Sequence, residues 1–76
     1  MKYTYKIVFA LAGFFAQKHG LDAFALRHKL YSAFRVLLER ERAKAYRKHD
    51  NRRGAYLARE IVLLIRALND ADSEVA

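Results

Sequence analysis

The stretch GLDAFALRHKLYSAFRVLLERERAKAYRKHDN, residues 20–51, holds two helix boundaries and the segment between them. Gly20 is typical of the residue that follows a helix C-terminus, because glycine adopts a positive φ without steric cost. Asp22 is a preferred N-cap residue, and neither proline nor glycine follows it before Gly54. The pattern therefore predicts one long helix from just after Asp22 to about His49.

Two further helices flank this segment. Residues 5–19 are apolar nearly all round, and Thr4 can cap the start of a helix there. On the other side, Asp50 or Asn51 can cap a helix whose apolar residues recur at helical spacing until about Asn69. Because short connections imply antiparallel neighbours, the sequence predicts an all-α, three-helix antiparallel bundle with a long central helix.

Length and composition predict one small domain. The chain has 76 residues, of which 54% are hydrophobic, a composition that argues against disorder. Cysteine is absent, which excludes disulfides and thiolate zinc sites as a source of stability. We expect a single helical domain over residues 1–69 and an acidic, frayed tail over residues 70–76. Oligomerisation is the remaining common route to stability for so small a fold.

An alternative concerns the start of the chain. The stretch KYTYKI, residues 2–7, alternates polar and apolar residues as a strand does. A strand here would indicate a ribbon-helix-helix dimer with Lys2, Thr4 and Lys6 in a DNA groove. No turn residue separates this stretch from the next helix, so we favour the helix.

The same region bears on location. Lys2 and Lys6 precede an apolar run, as in a secretory signal, but residues 7–16 are too few to span a bilayer, which needs ~20 residues. The small-residue triplet Ala10-Leu11-Ala12 would place a cleavage site inside the run. We therefore expect a cytoplasmic protein with no membrane partner.

Two apolar stripes predict the core. Helical spacing predicts that the long helix packs through Ala23, Leu26, Leu30, Ala33, Phe34 and Leu37. The third helix is expected to pack through Leu57, Ile61, Leu64, Ile65 and Leu68. Further apolar residues are left over, and either the three helices bury them together or a second copy does. We favour a homodimer with an interface formed by Phe9, Phe15, Phe24, Tyr31, Leu38 and Leu63.

One local pattern resembles a known DNA-binding motif. The stretch FAQKHGLDAFALRHKL, residues 15–30, has the apolar residues, alanine and turn glycine of that motif at Phe15, Ala16, Gly20, Leu21 and Leu26. It resembles the helix-turn-helix of DNA-binding regulators. The resemblance implies that Ala23, Arg27 and His28 face bases, although Lys29 stands where that motif usually has an apolar residue.

Signatures of catalysis are missing. The histidines, His19, His28 and His49, are far apart and no pair has a metal-ligand spacing. Serine occurs only at Ser32 and Ser73, and there is no glycine-rich loop. We expect no enzymatic activity, no catalytic residues, no cofactor and no bound metal.

Positive charge is concentrated in residues 39–53, which we call the basic tip, and Tyr56 lies nearby. The chain carries a net charge of +7, and the basic tip contains seven cations against three acids. The apolar stripe of the long helix stops near Leu38, so the sequence predicts a projecting basic helical hairpin there. Cations neutralise phosphates and tyrosine rings stack on unpaired bases. The predicted binding residues are Arg40, Lys44, Tyr46, Arg47, Lys48, Arg52, Arg53 and Tyr56.

These features predict a small, non-enzymatic regulator that binds nucleic acid through the basic tip as a homodimer. The alternative is an inhibitor or adaptor, of the kind encoded by phages and mobile elements, that docks on an acidic protein surface. Both remain open, because the planar guanidinium group of arginine pairs with phosphates and carboxylates alike.

Overall fold

The computed structural model describes residues 4–75, with side chains for residues 5–73. This part of the chain forms three helices, α1 over Thr4–His19, α2 over Ala23–Arg47 and α3 over Asn51–Val75. The predicted all-α fold with three helices is confirmed.

The strand alternative at the start is wrong from Thr4 onward, where α1 begins. Helical spacing places Tyr5 and Phe9 on the same face, and the Tyr5 ring packs edge-on against Phe34 with ring centroids 5.8 Å apart. Lys2 lies outside the described residues.

The turn between α1 and α2 forms as the sequence predicts. Gly20 adopts a φ of 67°, in the left-handed region, and the Leu21 N–H donates to the Ala16 carbonyl at 2.8 Å. The Asp22 side chain then accepts from the Ala25 N–H at 3.2 Å, which caps α2.

The second turn begins slightly earlier than predicted, since α2 ends at Arg47 rather than at His49. His49 takes a left-handed φ of 59°, which ends the helix. Asp50 then caps α3, because its Oδ1 accepts from the Arg53 N–H at 3.1 Å.

The core is centred on Phe9 of α1 and Leu64 of α3, both 0% exposed. Ala67 and Leu68 complete the buried cluster. Partly buried residues pack around it, namely Tyr5, Leu30, Tyr31, Phe34, Leu38 and Ala71. Four residues of the predicted α3 stripe are buried, namely Leu57, Ile61, Leu64 and Leu68.

The buried line of α2 differs from the predicted stripe. Leu30 and Phe34 of the predicted stripe pack against the core, but the other inward residues are Arg27, Tyr31, Leu38 and Ala45, of which Arg27 is only 4% exposed. Ala33 and Leu37, which were predicted to be core residues, are exposed, Leu37 to 58%. Arg27 causes the difference, because a hydrophobicity pattern counts a charged residue as solvent-facing and so rotates the expected stripe away from it.

The α2 residues that pack against the core cluster end at Leu38, as the sequence predicts, but packing between α2 and α3 continues to the turn. Ala45 and Leu57 are buried close to the turn, as is Gly54. The inward residues of both helices recur alternately every three and four positions, as in a coiled coil. Apart from Leu57, the buried residues at this end are small, which explains why the sequence pattern fades there.

Ion pairs show which helix ends are neighbours. Arg27 near the start of α2 contacts Asp72 near the end of α3, with Nη2 and Oδ1 3.3 Å apart. At the other end of the pair, Arg53 Nη2 lies 3.7 Å from Glu41 Oε2. Phe9 of α1 packs against the α3 core. We call the region around Phe9 and Arg27 the covered end.

The last helix runs to Val75, six residues past its predicted end at Asn69. Ala71 packs against the core, and Asp72 is held by ion pairs to α2. These tertiary contacts keep the acidic segment helical although its own sequence carries no apolar stripe. None of the three helices, as far as residues 4–75 are concerned, combines the length and hydrophobicity needed to cross a bilayer.

Candidate nucleic-acid interface

The basic tip is closed by a close approach between Tyr46 of α2 and Gly54 of α3. A Cβ atom on Gly54 would lie 2.5 Å from Tyr46 Cε1, so only glycine leaves room for the ring where it stands. The ring also meets Arg42, whose guanidinium carbon is 5.8 Å from the ring centroid. Tyr46 therefore has a structural role in joining the two helices.

Cations lie along another side of α2. With about 100° between successive helical residues, Arg40, Lys44 and Arg47 share one side of the helix, and Lys48 follows them at the turn. Tyr46 points to the other side with Arg42. The structure does not bring Tyr46 together with the cations that the sequence grouped with it.

Glu41 partly neutralises two of the predicted binding residues. Lys44 Nζ lies 3.5 Å from Glu41 Oε1, and Arg53 approaches the other carboxylate oxygen of the same residue. All three side chains are well exposed, so these ion pairs contribute little to stability. Among the ion pairs of the described residues, none involves Arg40, Arg47, Lys48 or Arg52.

The second predicted tyrosine, Tyr56, is exposed and lies one helical turn from Arg52 and Arg53 on α3. It also lies near Tyr5 of α1. Burial raises the pKa of Tyr5 to about 12, helped by a hydrogen bond from its hydroxyl to Glu60 and by the charges of Glu60 and Tyr56. Tyr56 is thus the predicted aromatic ring that lies beside predicted binding cations, whereas Tyr46 lies beside Arg42.

The helix-turn-helix interpretation of residues 15–30 is wrong. Arg27, which that motif would aim at bases, is buried, and its Nε and Nη2 donate to Asp72 Oδ1 at 3.4 and 3.3 Å. His28 Nε2 lies 3.0 Å from Asp72 Oδ2, so the neighbouring residue is engaged by the same carboxylate. Asp72 lies more than forty positions away in the chain, and no local pattern points to the pairing.

The predicted dimer residues do not form one surface. Phe9 is fully buried inside the chain, so its assignment to a dimer interface is wrong. Tyr31 and Leu38 pack against the core of their own chain, and Leu63 is half-buried. Phe15 and Phe24 are exposed, and their rings stack on His19 and His28 respectively.

Comparison with known protein families, with curated proteins and with solved structures found no match to this chain.

Proposed function

We propose that this chain is a small, non-enzymatic regulator that binds nucleic acid through the basic tip, acting in the cytoplasm as a homodimer. The observation that supports this function best is a set of cations outside the ion pairs of the described residues. They are Arg40, Arg47, Lys48 and Arg52, all exposed.

The physical basis is counterion release. Each phosphate that a cation neutralises frees condensed counterions, and the resulting entropy gain favours binding. A cation already paired with a carboxylate gains less from a phosphate. Unpaired cations clustered at one end therefore favour a polyanion more strongly than the net charge alone would.

In this proposal α2 and α3 form an antiparallel hairpin, and its basic end projects past α1. The Arg27–Asp72 pair at one end and the Arg53–Glu41 pair at the other support this arrangement. In such a hairpin, α2 presents its cations along one edge, and α3 adds Arg52 beside them.

Tyr56 should give the basic tip a preference for unpaired bases. Its exposed ring lies next to Arg52 and Arg53, and a base stacked on an aromatic ring contributes ~1–3 kcal/mol to binding. Tyr56→Ala should therefore weaken binding of single strands more than binding of a duplex. Tyr46→Ala should show no such difference, because the Tyr46 ring packs over Gly54.

The main test compares salt dependence. Replacing Arg40, Arg47 and Lys48 together by alanine removes two cations from one side of α2 and one from the turn that follows it. The slope of log K against log salt on duplex DNA should flatten by roughly 2.7, because each phosphate that is no longer neutralised accounts for about 0.9. A charge-matched control replaces Lys29, Arg59 and Arg66, which are exposed and lie outside the basic tip, and should change the slope much less.

Two outcomes would contradict the proposal. Equal slopes for the two triple variants would mean that net charge, and not the basic tip, governs binding. A failure to bind DNA or RNA even at low salt would exclude nucleic acid as the ligand of the basic tip. The basic tip would then be assigned to an acidic protein surface, and the same tip variant should lose a protein partner.

A further inference from the structure

The outward face of α1 is apolar and has no partner within the described part of the chain. Ile7, Leu11 and Phe14 are 56%, 60% and 70% exposed, and they lie on the side of α1 opposite to buried Phe9 and Ala16. Exposed apolar side chains this large, clustered on one helix face, mark an interaction site.

A groove lies beside this face. It is an open depression of about 560 Å³ between α1 and α2, with almost entirely apolar walls. Its α2 wall is formed by Leu26 and Leu30, and the large apolar residues that line it from α1 are Val8, Leu11, Phe14 and Phe15. The exposed Phe14 ring therefore lies next to an apolar depression that can receive an aromatic ring.

We propose that this face binds a second copy of the chain, with the two α1 helices packed antiparallel about a two-fold axis near Leu11. A two-fold interface requires one patch to be complementary to itself. A protruding ring beside an apolar groove meets that requirement, because each copy inserts Phe14 into the groove of the other. The pairing rests on the homodimer of the proposed function but not on its nucleic-acid site.

The spacing of the outward residues supports a helix as the occupant. Positions 7, 11, 14 and 18 are separated by four, three and four residues, the alternation by which paired helices keep one seam in contact. Lys18 ends the seam with the one charge in the groove lining.

That charge decides the direction of the pairing. A parallel pair would bring the two Lys18 ammonium groups together at one end. In an antiparallel pair they lie about 20 Å apart, since each is seven residues from the axis at about 1.5 Å per residue. This separation exceeds the Debye length of about 8 Å at physiological ionic strength, so their repulsion is screened.

The available area is adequate for a small dimer. Phe14 and Phe15 are each more than half exposed, and a full aromatic side chain buries about 150–250 Å². With Ile7 and Leu11, each copy offers roughly 500 Å². Val8, Leu26 and Leu30, the other groove residues, add to this area, and a stable interface buries ~800 Å² per partner.

Oligomeric state tests the proposal first. Light scattering of the unmodified chain should give twice the 8.9 kDa chain mass. A variant with Leu11→Glu and Phe14→Glu should give the single-chain mass with unchanged helical circular dichroism, because both side chains are already exposed. The matched control Val62→Glu, on the exposed side of α3, should remain a dimer. A monomeric unmodified chain at its highest soluble concentration, or a dimeric double variant, would overturn the proposal.

Cross-linking then tests the geometry, since the chain contains no cysteine of its own. Leu11→Cys, next to the axis, should form a disulfide-linked dimer under mild oxidation. Ile7→Cys, which keeps Lys18, should not, because four residues from the axis in each copy put the two sulfurs about 12 Å apart. The opposite result, or cross-linking of both, would contradict antiparallel pairing. A dimer of this geometry that binds no nucleic acid would leave the pairing standing and remove the proposed function alone.

Discussion

Arginine is buried and ion-paired at the covered end but exposed at the basic tip. Arg27 is buried at the covered end, where Asp72 accepts two of its N–H groups. Arg47 at the basic tip is exposed and makes no ion pair with the described residues. A buried guanidinium is tolerated only where a carboxylate offsets the loss of water. The difference lies in the neighbouring helices and not in the arginines.

The size of the buried side chains also differs between the two ends. At the covered end α1 brings Phe9 against Leu64, so large apolar side chains are fully enclosed. At the basic tip Ala45 and Gly54 bring the helices together with little apolar area. Stability should therefore come mainly from the covered end, and binding from the tip.

The largest expected effect is at the core of the covered end. Phe9→Ala should lower the free energy of unfolding by ~3–5 kcal/mol, because the ring is fully buried and its removal leaves a cavity. Urea denaturation followed by circular dichroism, at one fixed protein concentration, measures this. The control Phe24→Ala removes an exposed ring and should cost less than about 1 kcal/mol. Similar losses for both variants would show that Phe9 is not the centre of the core.

A pair of arginine variants addresses the comparison directly. Arg27→Ala leaves Asp72 without its buried partner and should cost about 3 kcal/mol, near the lower end for a broken buried pair because Asp72 remains partly exposed to water. Arg47→Ala should change stability by no more than about 0.5 kcal/mol. Thermal melts of the two proteins, run side by side, decide the matter. Equal costs would mean that the two ends do not differ as described.

The close approach at the basic tip predicts a smaller effect. In Gly54→Ala the new methyl group would collide with the Tyr46 ring, which is half-exposed and can swing outward. Alanine favours the helix over glycine by about 1 kcal/mol, which offsets the weaker packing of the displaced ring. The net change in stability should therefore stay within about 1 kcal/mol. Nuclear Overhauser effects between the Tyr46 ring and residue 54, present in the parent chain, should weaken in the variant.

The smallest effect is a loss of stability that begins only in alkali, where Tyr5 loses its proton. The folded-state pKa of Tyr5 is raised to about 12 from its ordinary 10, so folding favours the protonated phenol. The contribution of this group to stability is complete below about pH 10 and is lost as the pH rises through about 12. The difference in phenolate absorbance between the parent and Tyr5→Phe should show a midpoint near 12. A midpoint near 10 would mean that α1 does not bury this hydroxyl.

Local features of this fold were predictable because their causes are local. Gly20 and Asp22 act on backbone atoms within a few residues, and Asp50 does the same before α3. The number of helices and their boundaries at both turns follow from such residues. The concentration of cations in the basic tip is likewise a property of the chain itself.

The sequence by itself therefore determined an all-α chain of three helices with a basic tip. Tertiary structure decided which side of each helix is buried. Arg27 turns inward because Asp72, more than forty residues away, neutralises it, and this sets the α2 face that meets α3. The same choice leaves Leu37 exposed, and α1 keeps Leu11 and Phe14 outside. Hydrophobic periodicity ranks faces by apolar content alone, whereas the folded chain also satisfies charges, and only contacts between distant helices supply the partners for those charges.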